Sequence, residues 1–374
     1  MLNIVADENL ADLASYFAAY GQIRAMAGRA ITRDDLVSAD VLLVRSVTQV
    51  NEDLLSGTGV KFVGTATIGT DHLDIGYLQR AGIQWASAPG CNANAVADYV
   101  CSSISQIDGL WERLFAGAKV GIVGCGNVGQ QVFQRFSALN ISCRIYDPFL
   151  SIESLPLASF EEVLACELLC LHTPLTQTGP YPSYQMLNDN ALKYLRSDVV
   201  LINAGRGDVI SEAAIIRFMQ QQPDAKVILD VWPKEPDIST TLLQQVYLAT
   251  PHIAGYSQQG KQAGTAMIYR AFCRHFNVAV DEGCDDVQPI VLHLPAGLSD
   301  GDTLRWALLS VYRSASDDRL MRETILHAKS VVDAFDYLRK TYPLRNECCR
   351  YRLSYDQPLS NFLHASLQSM GFIV

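Results

Sequence analysis

The sequence lacks the features that membrane-spanning and exported proteins need. No apolar run is long enough to cross a bilayer, because even the uncharged stretch over residues 81–97 is interrupted by a proline, a glycine and two asparagines. The first ten residues, MLNIVADENL, carry Asp7 and Glu8 where a secretory signal would carry basic residues. We therefore expect a protein without a membrane partner that stays in the cytoplasm.

An excess of basic residues and paired cysteine motifs are also absent. The chain has 29 Lys and Arg against 39 Asp and Glu, a net charge of −10, so we expect no nucleic-acid partner. Its ten cysteines are scattered without a CxxC pair, which argues against a disulfide framework and a structural zinc site. We expect no metal site, and reduced thiols that pack as small apolar side chains.

Short β-branched apolar runs are present along most of the chain, each followed by a helical pattern. They lie at 2–6, 41–44, 61–64, 119–123, 142–146, 168–172, 199–203, 227–231 and 247–250. The runs are apolar throughout rather than alternating, which is typical of parallel strands covered by helices on both faces. The 374 residues therefore predict an α/β fold with two α/β units, joined by a helical segment over 90–118.

The pattern changes after Pro251. It predicts a helix over 261–276 and a third region from about residue 281. In that region we expect strands over 289–294 and 351–354 and helices over 303–313 and 321–339. It carries no motif from which a chemical role can be inferred.

A glycine-rich loop follows the predicted strand over 119–123. The order Gly124-Cys125-Gly126-Asn127-Val128-Gly129 is a GxGxxG loop between a strand and a helix, where the glycines allow a tight turn and close approach of a pyrophosphate. Asp147 ends the next strand, 18 positions after Gly129, where a carboxylate suits two ribose hydroxyls and repels a 2′-phosphate. The pattern predicts an NAD site formed by the loop, including Asn127 and Val128, and Asp147. The alternative is a tight turn beside a solvated aspartate.

Three polar residues follow later strands of the same series: Arg206, Glu235 and His252. Each alone is compatible with an ordinary role as a surface charge, a solvated loop residue or a buried imidazole. Because carboxyl ends of parallel strands meet at one edge of a sheet, we expect the three to share a site. An imidazole, with an ordinary pKa of about 6.5, can take a hydroxyl proton, a carboxylate can orient it, and a guanidinium can grip a carboxylate. The set therefore favours hydride transfer from a hydroxy acid to a nicotinamide.

Several segments resemble the NAD-dependent D-2-hydroxyacid dehydrogenases. They are GTATIGTDHLD (64–74), VGIVGCGNVG (120–129), LHTPLT (171–176), INAGRG (202–207), LDVW with EP (229–236) and TPHIAG (250–255). The resemblance implies a two-lobed architecture, with a flavodoxin-like substrate lobe from 1–93 and 256–280 and a Rossmann NAD lobe over 94–255. It also implies that Arg206 is the catalytic arginine, Glu235 the acid partner and His252 the proton donor and acceptor.

The same resemblance implies further contacts. Thr173, Asp230 and Gly255 correspond to cofactor positions, and Ser46, Thr67 and Tyr256 to substrate positions. Other segments resemble members with a phosphorylated hydroxy-acid substrate and an added C-terminal domain: VADEN (5–9), LLVRSVTQVNEDLL (42–55), APGCNANAVADYV (88–100) and PHIAGYSQQGK (251–261). They imply a small phosphorylated hydroxy-acid substrate and a homodimer formed through a C-terminal α+β dimerisation domain over 281–374.

Two questions stay open at this point. The cation for the substrate phosphate is either Arg45, which equally suits an interlobe salt bridge, or Arg345 or Arg350 of the partner subunit. For the function, the alternatives are another D-2-hydroxyacid dehydrogenase, for example of the phosphoglycerate type, or a non-catalytic NAD-sensing protein. The intact set of Arg206, Glu235 and His252 argues against a sensor, because a sensor needs no proton relay.

Overall fold

The computed structural model describes residues 1–281, 288–343 and 345–374. The chain divides into two units, Met1–Asn92 with Tyr256–Gln288 and Ala93–Gly255 with Pro289–Val374. No helix in the described ranges is long and apolar enough to cross a membrane.

The first unit contains a five-stranded parallel sheet of order β2-β1-β3-β4-β5. Its strands are β1 (Leu2–Asp7), β2 (Gly21–Met26), β3 (Val41–Val44), β4 (Phe62–Thr65) and β5 (Gln84–Ala86). Its helices are α1 (Leu13–Phe17), α2 (Arg33–Leu36), α3 (Glu52–Leu55), α4 (Ile75–Arg80) and, from the returning segment, α12 (Gln258–Phe276). Successive side chains alternate between the two faces: Ile4 packs in the core cluster that includes Phe272 of α12, and Val5 packs in the opposite one. Burial on both faces explains the continuous apolar runs.

The second unit contains a six-stranded parallel sheet of order β11-β10-β9-β8-β6-β7. Its strands are β6 (Val120–Val123), β7 (Cys143–Tyr146), β8 (Leu168–Leu171), β9 (Val200–Asn203), β10 (Lys226–Leu229) and β11 (Leu248–Ala249). Its helices are α5 (Ala93–Ser105), α6 (Leu110–Phe115), α7 (Asn127–Ala138), α8 (Phe160–Leu164), α9 (Asp189–Leu192), α10 (Glu212–Gln221) and α11 (Thr240–Gln245). The strand order reverses between β6 and β8, which is where open parallel sheets bind ligands.

The C-terminal region belongs to this second unit. It contains the two-stranded parallel sheet of β12 (Ile290–His293) and β13 (Tyr351–Ser354) and the helices α13 (Asp300–Val311), α14 (Ser314–Ile325), α15 (Val331–Lys340) and α16 (Asn361–Ser369). Met321 of α14 and Phe335 of α15 lie in the same buried cluster as Leu171 and Leu229 of the six-stranded sheet. The C-terminal helices therefore share a core with that sheet.

The predicted α/β class with parallel sheets is confirmed, and three details differ. The sequence did not predict the edge strands β2 and β5, because their side chains are largely exposed or half-buried and form no continuous apolar run. The single helix expected over 321–339 is wrong. Helix α14 ends at Ile325, and α15 begins at Val331 after Ser330, whose side chain accepts a hydrogen bond from the Asp333 N–H and so caps a new helix.

Candidate active site

The glycine loop lies at the carboxyl end of β6 and leads into α7. Gly124 has a φ of +85°, which L side chains rarely adopt. A Cβ on Gly129 would lie 2.1 Å from the Gly124 carbonyl oxygen, so only glycine fits there without a shift. A Cβ on Gly126 would meet nothing within 4 Å, which leaves open space in front of the first turn of α7. Asn127 and Val128 form that first turn and present backbone N–H groups at a helix N-terminus.

Asp147 lies beside this loop at the end of β7. Its Oδ2 accepts a hydrogen bond from the Cys125 N–H at 2.9 Å, and its Oδ1 accepts one from the Phe149 N–H at 3.1 Å. Burial and, less strongly, the Asp147 charge raise the pKa of the Cys125 thiol to about 11, so this thiol is neutral at pH 7. The half-buried carboxylate is thus fixed against the glycine loop.

The end of β8 faces the loop with unpaired polar atoms. Within the described residues, both ring nitrogens of His172 and Oγ1 of Thr173 are buried without a hydrogen-bond partner. Burial lowers the pKa of His172 to about 4, so the ring is neutral near pH 7. A buried polar group left unpaired costs about 1–3 kcal/mol, so such atoms are suited to bind a ligand. Together with the open space at Gly126, they fit a dinucleotide.

His252 and Glu235 form a hydrogen-bonded pair. Nδ1 of His252 lies 2.7 Å from Oε2 of Glu235, and the two side chains are 33% and 19% exposed. Oε1 of Glu235 accepts a hydrogen bond from the Trp232 N–H at 2.7 Å, so both carboxylate oxygens are occupied. Because Nδ1 donates to a carboxylate, the hydrogen-bond network assigns the free lone pair of the neutral ring to Nε2.

A buried carboxylate shapes the loop that carries His252. Asp230, 1% exposed, accepts hydrogen bonds from Oγ1 of Thr250 at 2.7 Å and from the N–H groups of Ile253 and Ala254 at 2.8 and 3.0 Å. Burial raises the pKa of Asp230, although the hydrogen bonds and nearby His252 oppose the shift. His252 itself has a φ of +56°, and its N–H donates to the Asp230 carbonyl oxygen at 2.7 Å. Asp230 therefore holds a strained turn in place.

Trp232 and Gly207 are two site residues that the sequence analysis did not single out. Nε1 of Trp232 donates to the Thr250 carbonyl oxygen at 2.9 Å, which links the Glu235 and His252 segments. A Cβ on Gly207 would lie 1.9 Å from the Trp232 backbone, so the chain after Arg206 packs directly on it. Gly207 is the last residue of INAGRG and Trp232 the last of LDVW. Their place in these segments is the only sequence signal that pointed to them.

Arg206 joins the pair in one pocket. The pocket is lined by Arg206, Glu235 and His252 together with Leu175, Gly207, Asp208, Val231, Trp232 and Lys234. Nη1 of Arg206 donates to the Gly205 carbonyl oxygen at 2.9 Å, which anchors the guanidinium to its own loop. A cation, a carboxylate and an imidazole are therefore brought together as expected, in the unit that also holds Thr173, Asp230 and Gly255.

The four other candidate residues, Arg45, Ser46, Thr67 and Tyr256, belong to the first unit. Oγ1 of Thr67 lies 2.8 Å from Oγ1 of Thr65 and donates to the Gly69 carbonyl oxygen at 3.0 Å. Ser46 is exposed and Tyr256 is half-buried.

Arg45 has a partner within its own unit. Its Nε lies 3.2 Å from Oδ2 of the buried Asp7, an ion pair inside the first unit. Desolvation and the nearby Arg45 charge lower the pKa of Lys261, a residue that the sequence analysis did not single out. Two cations therefore lie near each other at this point. Arg345, in contrast, is buried in the second unit, where its Nη2 donates to the Ala254 carbonyl oxygen, so it does not reach outward to a partner's site.

Two family models match the chain. Residues 104–254 match the D-isomer specific 2-hydroxyacid dehydrogenase NAD binding domain, and residues 291–371 match a domain of unknown function, DUF3410. Among solved structures, NAD+-bound 3-phosphoglycerate dehydrogenase from Entamoeba histolytica is 24% identical with a TM-score of 0.61, covering 76% of this chain and 99% of that one. D-lactate dehydrogenase from Aquifex aeolicus is 20% identical with a TM-score of 0.58, covering 74% and 95%. At these identities the likeness shows the fold alone.

Curated relatives match over nearly the whole length. An erythronate-4-phosphate dehydrogenase of Cellvibrio japonicus is 44% identical over 364 residues, 94% of each chain. Those of Saccharophagus degradans and Acinetobacter baumannii are 41% and 42% identical, covering 99% and 92% of this chain and 99% and 98% of their own. The chain therefore belongs to the D-isomer specific 2-hydroxyacid dehydrogenase family and, within it, to the group of the erythronate-4-phosphate dehydrogenases.

Proposed function

We propose that the protein oxidises 4-phospho-D-erythronate to 2-oxo-3-hydroxy-4-phosphobutanoate with NAD, in the biosynthesis of pyridoxal 5′-phosphate. The observation that carries the proposal is the His252–Glu235 pair, which lines one pocket with Arg206. The substrate comes from the relatives, which are 41–44% identical and are named for this phosphorylated acid.

His252 is the proton acceptor in this proposal. Its Nδ1 is engaged by Glu235, so Nε2 takes the proton of the substrate hydroxyl as the carbon atom loses its hydride. The imidazolium that forms lies against the Glu235 carboxylate, which stabilises it and keeps the ring in one orientation. When bound, NAD accepts the hydride. In the reverse direction the same nitrogen returns the proton.

Arg206 binds the substrate carboxylate in this proposal. A guanidinium presents several N–H donors in a plane, which match two carboxylate oxygens and leave a donor for the reacting oxygen. The glycine loop, Asp147, Thr173, Asp230 and Gly255 hold NAD. Ser46, Thr67 and Tyr256 contact the substrate, as the family resemblance implies.

Arg45 binds the phosphate in this proposal. The nearby Lys261 ammonium, whose pKa is lowered by desolvation and by the Arg45 charge, adds a second positive group suited to a phosphate dianion. Arg350 of the partner subunit remains the alternative cation. Measuring the Michaelis constant of an Arg45→Met variant separates them, since an unchanged constant for the phosphorylated acid would exclude Arg45.

A homodimer formed through the C-terminal region is part of the proposal. Strand β12 pairs only with β13 among the described residues, and its Ile290 and Val291 are 40% and 64% exposed. A two-stranded sheet with apolar side chains in solvent is marginal alone and is stabilised when another chain covers it. A monomer mass in sedimentation at micromolar concentration would contradict this assignment.

The proposed activity is tested by mixing the purified protein with NAD and 4-phospho-D-erythronate and following the absorbance of reduced nicotinamide. We expect kcat/KM for this acid to exceed that for unphosphorylated D-erythronate by at least about tenfold, because a charge-assisted hydrogen bond contributes about 1.5–3 kcal/mol. 3-Phosphoglycerate and D-lactate are the comparison substrates. A preference for either one, or NAD binding without turnover, would overturn the proposal.

Replacing Asp147 by alanine should weaken NAD binding and relax discrimination against NADP. The carboxylate that suits ribose hydroxyls and repels a 2′-phosphate is then gone, while the Cys125 and Phe149 N–H groups are freed. The measurement is the ratio of kcat/KM with NAD to that with NADP. If this ratio equals that of the unmodified enzyme, Asp147 does not contact the cofactor.

A further inference from the structure

A buried arginine of the C-terminal region touches the loop that carries His252. Arg345 is 8% exposed, and its Nη2 donates to the Ala254 carbonyl oxygen at 2.5 Å, with a longer contact to the Ala95 carbonyl oxygen at 3.5 Å. Its guanidinium carbon lies 4.2 Å from the centre of the Tyr312 ring. The side chain is therefore fixed from two sides, by a carbonyl group and by an aromatic face.

The contact completes the anchoring of the catalytic loop. The Asp230 carboxylate accepts a hydrogen bond from the Ala254 N–H at 3.0 Å, and the Arg345 guanidinium donates one to the Ala254 carbonyl oxygen. Ala254 stands two residues after His252. Since residues fixed on both sides lose most of their freedom, the position of the imidazole depends on both anchors.

The chemistry of the contact indicates a role beyond attaching the C-terminal region to the rest of its unit. Among the described residues no carboxylate forms a direct ion pair with Arg345, and Asp317 is instead engaged by the hydroxyls of Tyr312 and Tyr342. At longer range the Asp98 and Asp317 charges favour the charged guanidinium and oppose the effect of its burial. Burying a cation without a direct ion-pair partner costs free energy, so it is a poor way to attach one region to another. The apolar side chains of α14 and α15 already supply that attachment. A cationic donor, however, forms a stronger hydrogen bond to a carbonyl oxygen than a neutral donor does, and so holds the carbonyl group more firmly in place.

We propose that Arg345 is a positioning residue for the reaction: through the Ala254 carbonyl oxygen it fixes the loop that places His252. The C-terminal region, whose family model is described only as a domain of unknown function, then takes part in building the active site. This inference rests on the proposed function, because it concerns the imidazole assigned to proton transfer.

The test is a graded series at Arg345, measured on the full-length protein. We expect Arg345→Met to lower kcat by about 10- to 100-fold, because small displacements of a reacting group cost that much. The affinity for NADH, titrated by fluorescence, should fall much less than kcat, since the glycine loop, Asp147 and Thr173 lie outside the contact and only Asp230 and Gly255 adjoin it. Arg345→Lys retains a charged donor without the planar fork, so its kcat should lie between those of Arg345→Met and the unmodified enzyme.

Arg305 offers the matched control. It also lies in the C-terminal region and donates from Nε to a carbonyl oxygen, that of Ser105 at 2.8 Å, which is not in the catalytic loop. Arg305→Met should therefore lower thermal stability without changing kcat. Equal kcat values for Arg345→Lys and the unmodified enzyme, or equal losses for Arg345→Met and Arg305→Met, overturn the inference. If Arg345→Met does not fold, the inference is tested by comparing kcat of Arg345→Lys with that of the unmodified enzyme. An unmodified enzyme without turnover would instead overturn the proposed function.

Discussion

Replacing His252 by asparagine should lower kcat by about two to four powers of ten, the contribution of a positioned general base. An asparagine amide has no group that takes a proton near neutral pH, so the hydroxyl proton would have to pass to water as the hydride leaves. The neighbouring Glu235 cannot replace it easily, because one of its oxygens accepts from the Trp232 N–H and the new asparagine amide can donate to the other in place of Nδ1. Initial rates with NAD and 4-phospho-D-erythronate measure the loss.

Cofactor binding provides the internal comparison for this variant. The glycine loop, Asp147 and Thr173 are held by contacts that do not involve His252, so the affinity for NADH should stay nearly unchanged. His364→Asn, in α16 of the C-terminal region, makes the same chemical change elsewhere and should keep full activity. Turnover by His252→Asn within about threefold of the unmodified rate would show that the proton goes to another group.

The grouping of Arg206, Glu235 and His252 was predictable because parallel strands impose it. Each residue follows an apolar run, and all such runs end at the same edge of the six-stranded sheet. The same reasoning placed the glycine loop and Asp147 side by side, where the structure joins them through the Cys125 N–H. Local spacing and one topological rule were therefore sufficient for the geometry of this edge.

The supports of the site were not predictable in the same way. Arg345 is separated from Ala254 by 91 residues and stands in a region without a readable motif. A buried arginine and an exposed one have the same appearance in a sequence, because burial is decided by the packing of distant elements. Trp232 is similar, since an apolar side chain gives no sign that its N–H groups anchor two segments of the active site.

Replacing Asp98 by alanine should lower the free energy of unfolding by about 3–5 kcal/mol, the cost of leaving a buried charge without its partner. Asp98 on α5 pairs with Arg135 on α7, and the two side chains are only 5% and 6% exposed. Its other oxygen accepts a hydrogen bond from the Cys348 N–H at 2.9 Å. One carboxylate thus joins two helices and the C-terminal region. Urea unfolding at a fixed protein concentration measures the change.

Asp98 has two roles: it pairs with Arg135, and it accepts a hydrogen bond from the Cys348 N–H. Variants that remove the charges in different combinations separate these roles. Asp98→Asn keeps an acceptor for the Cys348 N–H but leaves Arg135 unpaired, so it should retain most of the destabilisation. Asp98→Leu combined with Arg135→Met removes both charges and should cost less than Asp98→Ala, because apolar side chains can replace a buried ion pair at little cost. A change below about 1 kcal/mol in Asp98→Ala, the range of an exposed pair, would mean that water reaches these charges and that the three elements are held together by apolar packing alone.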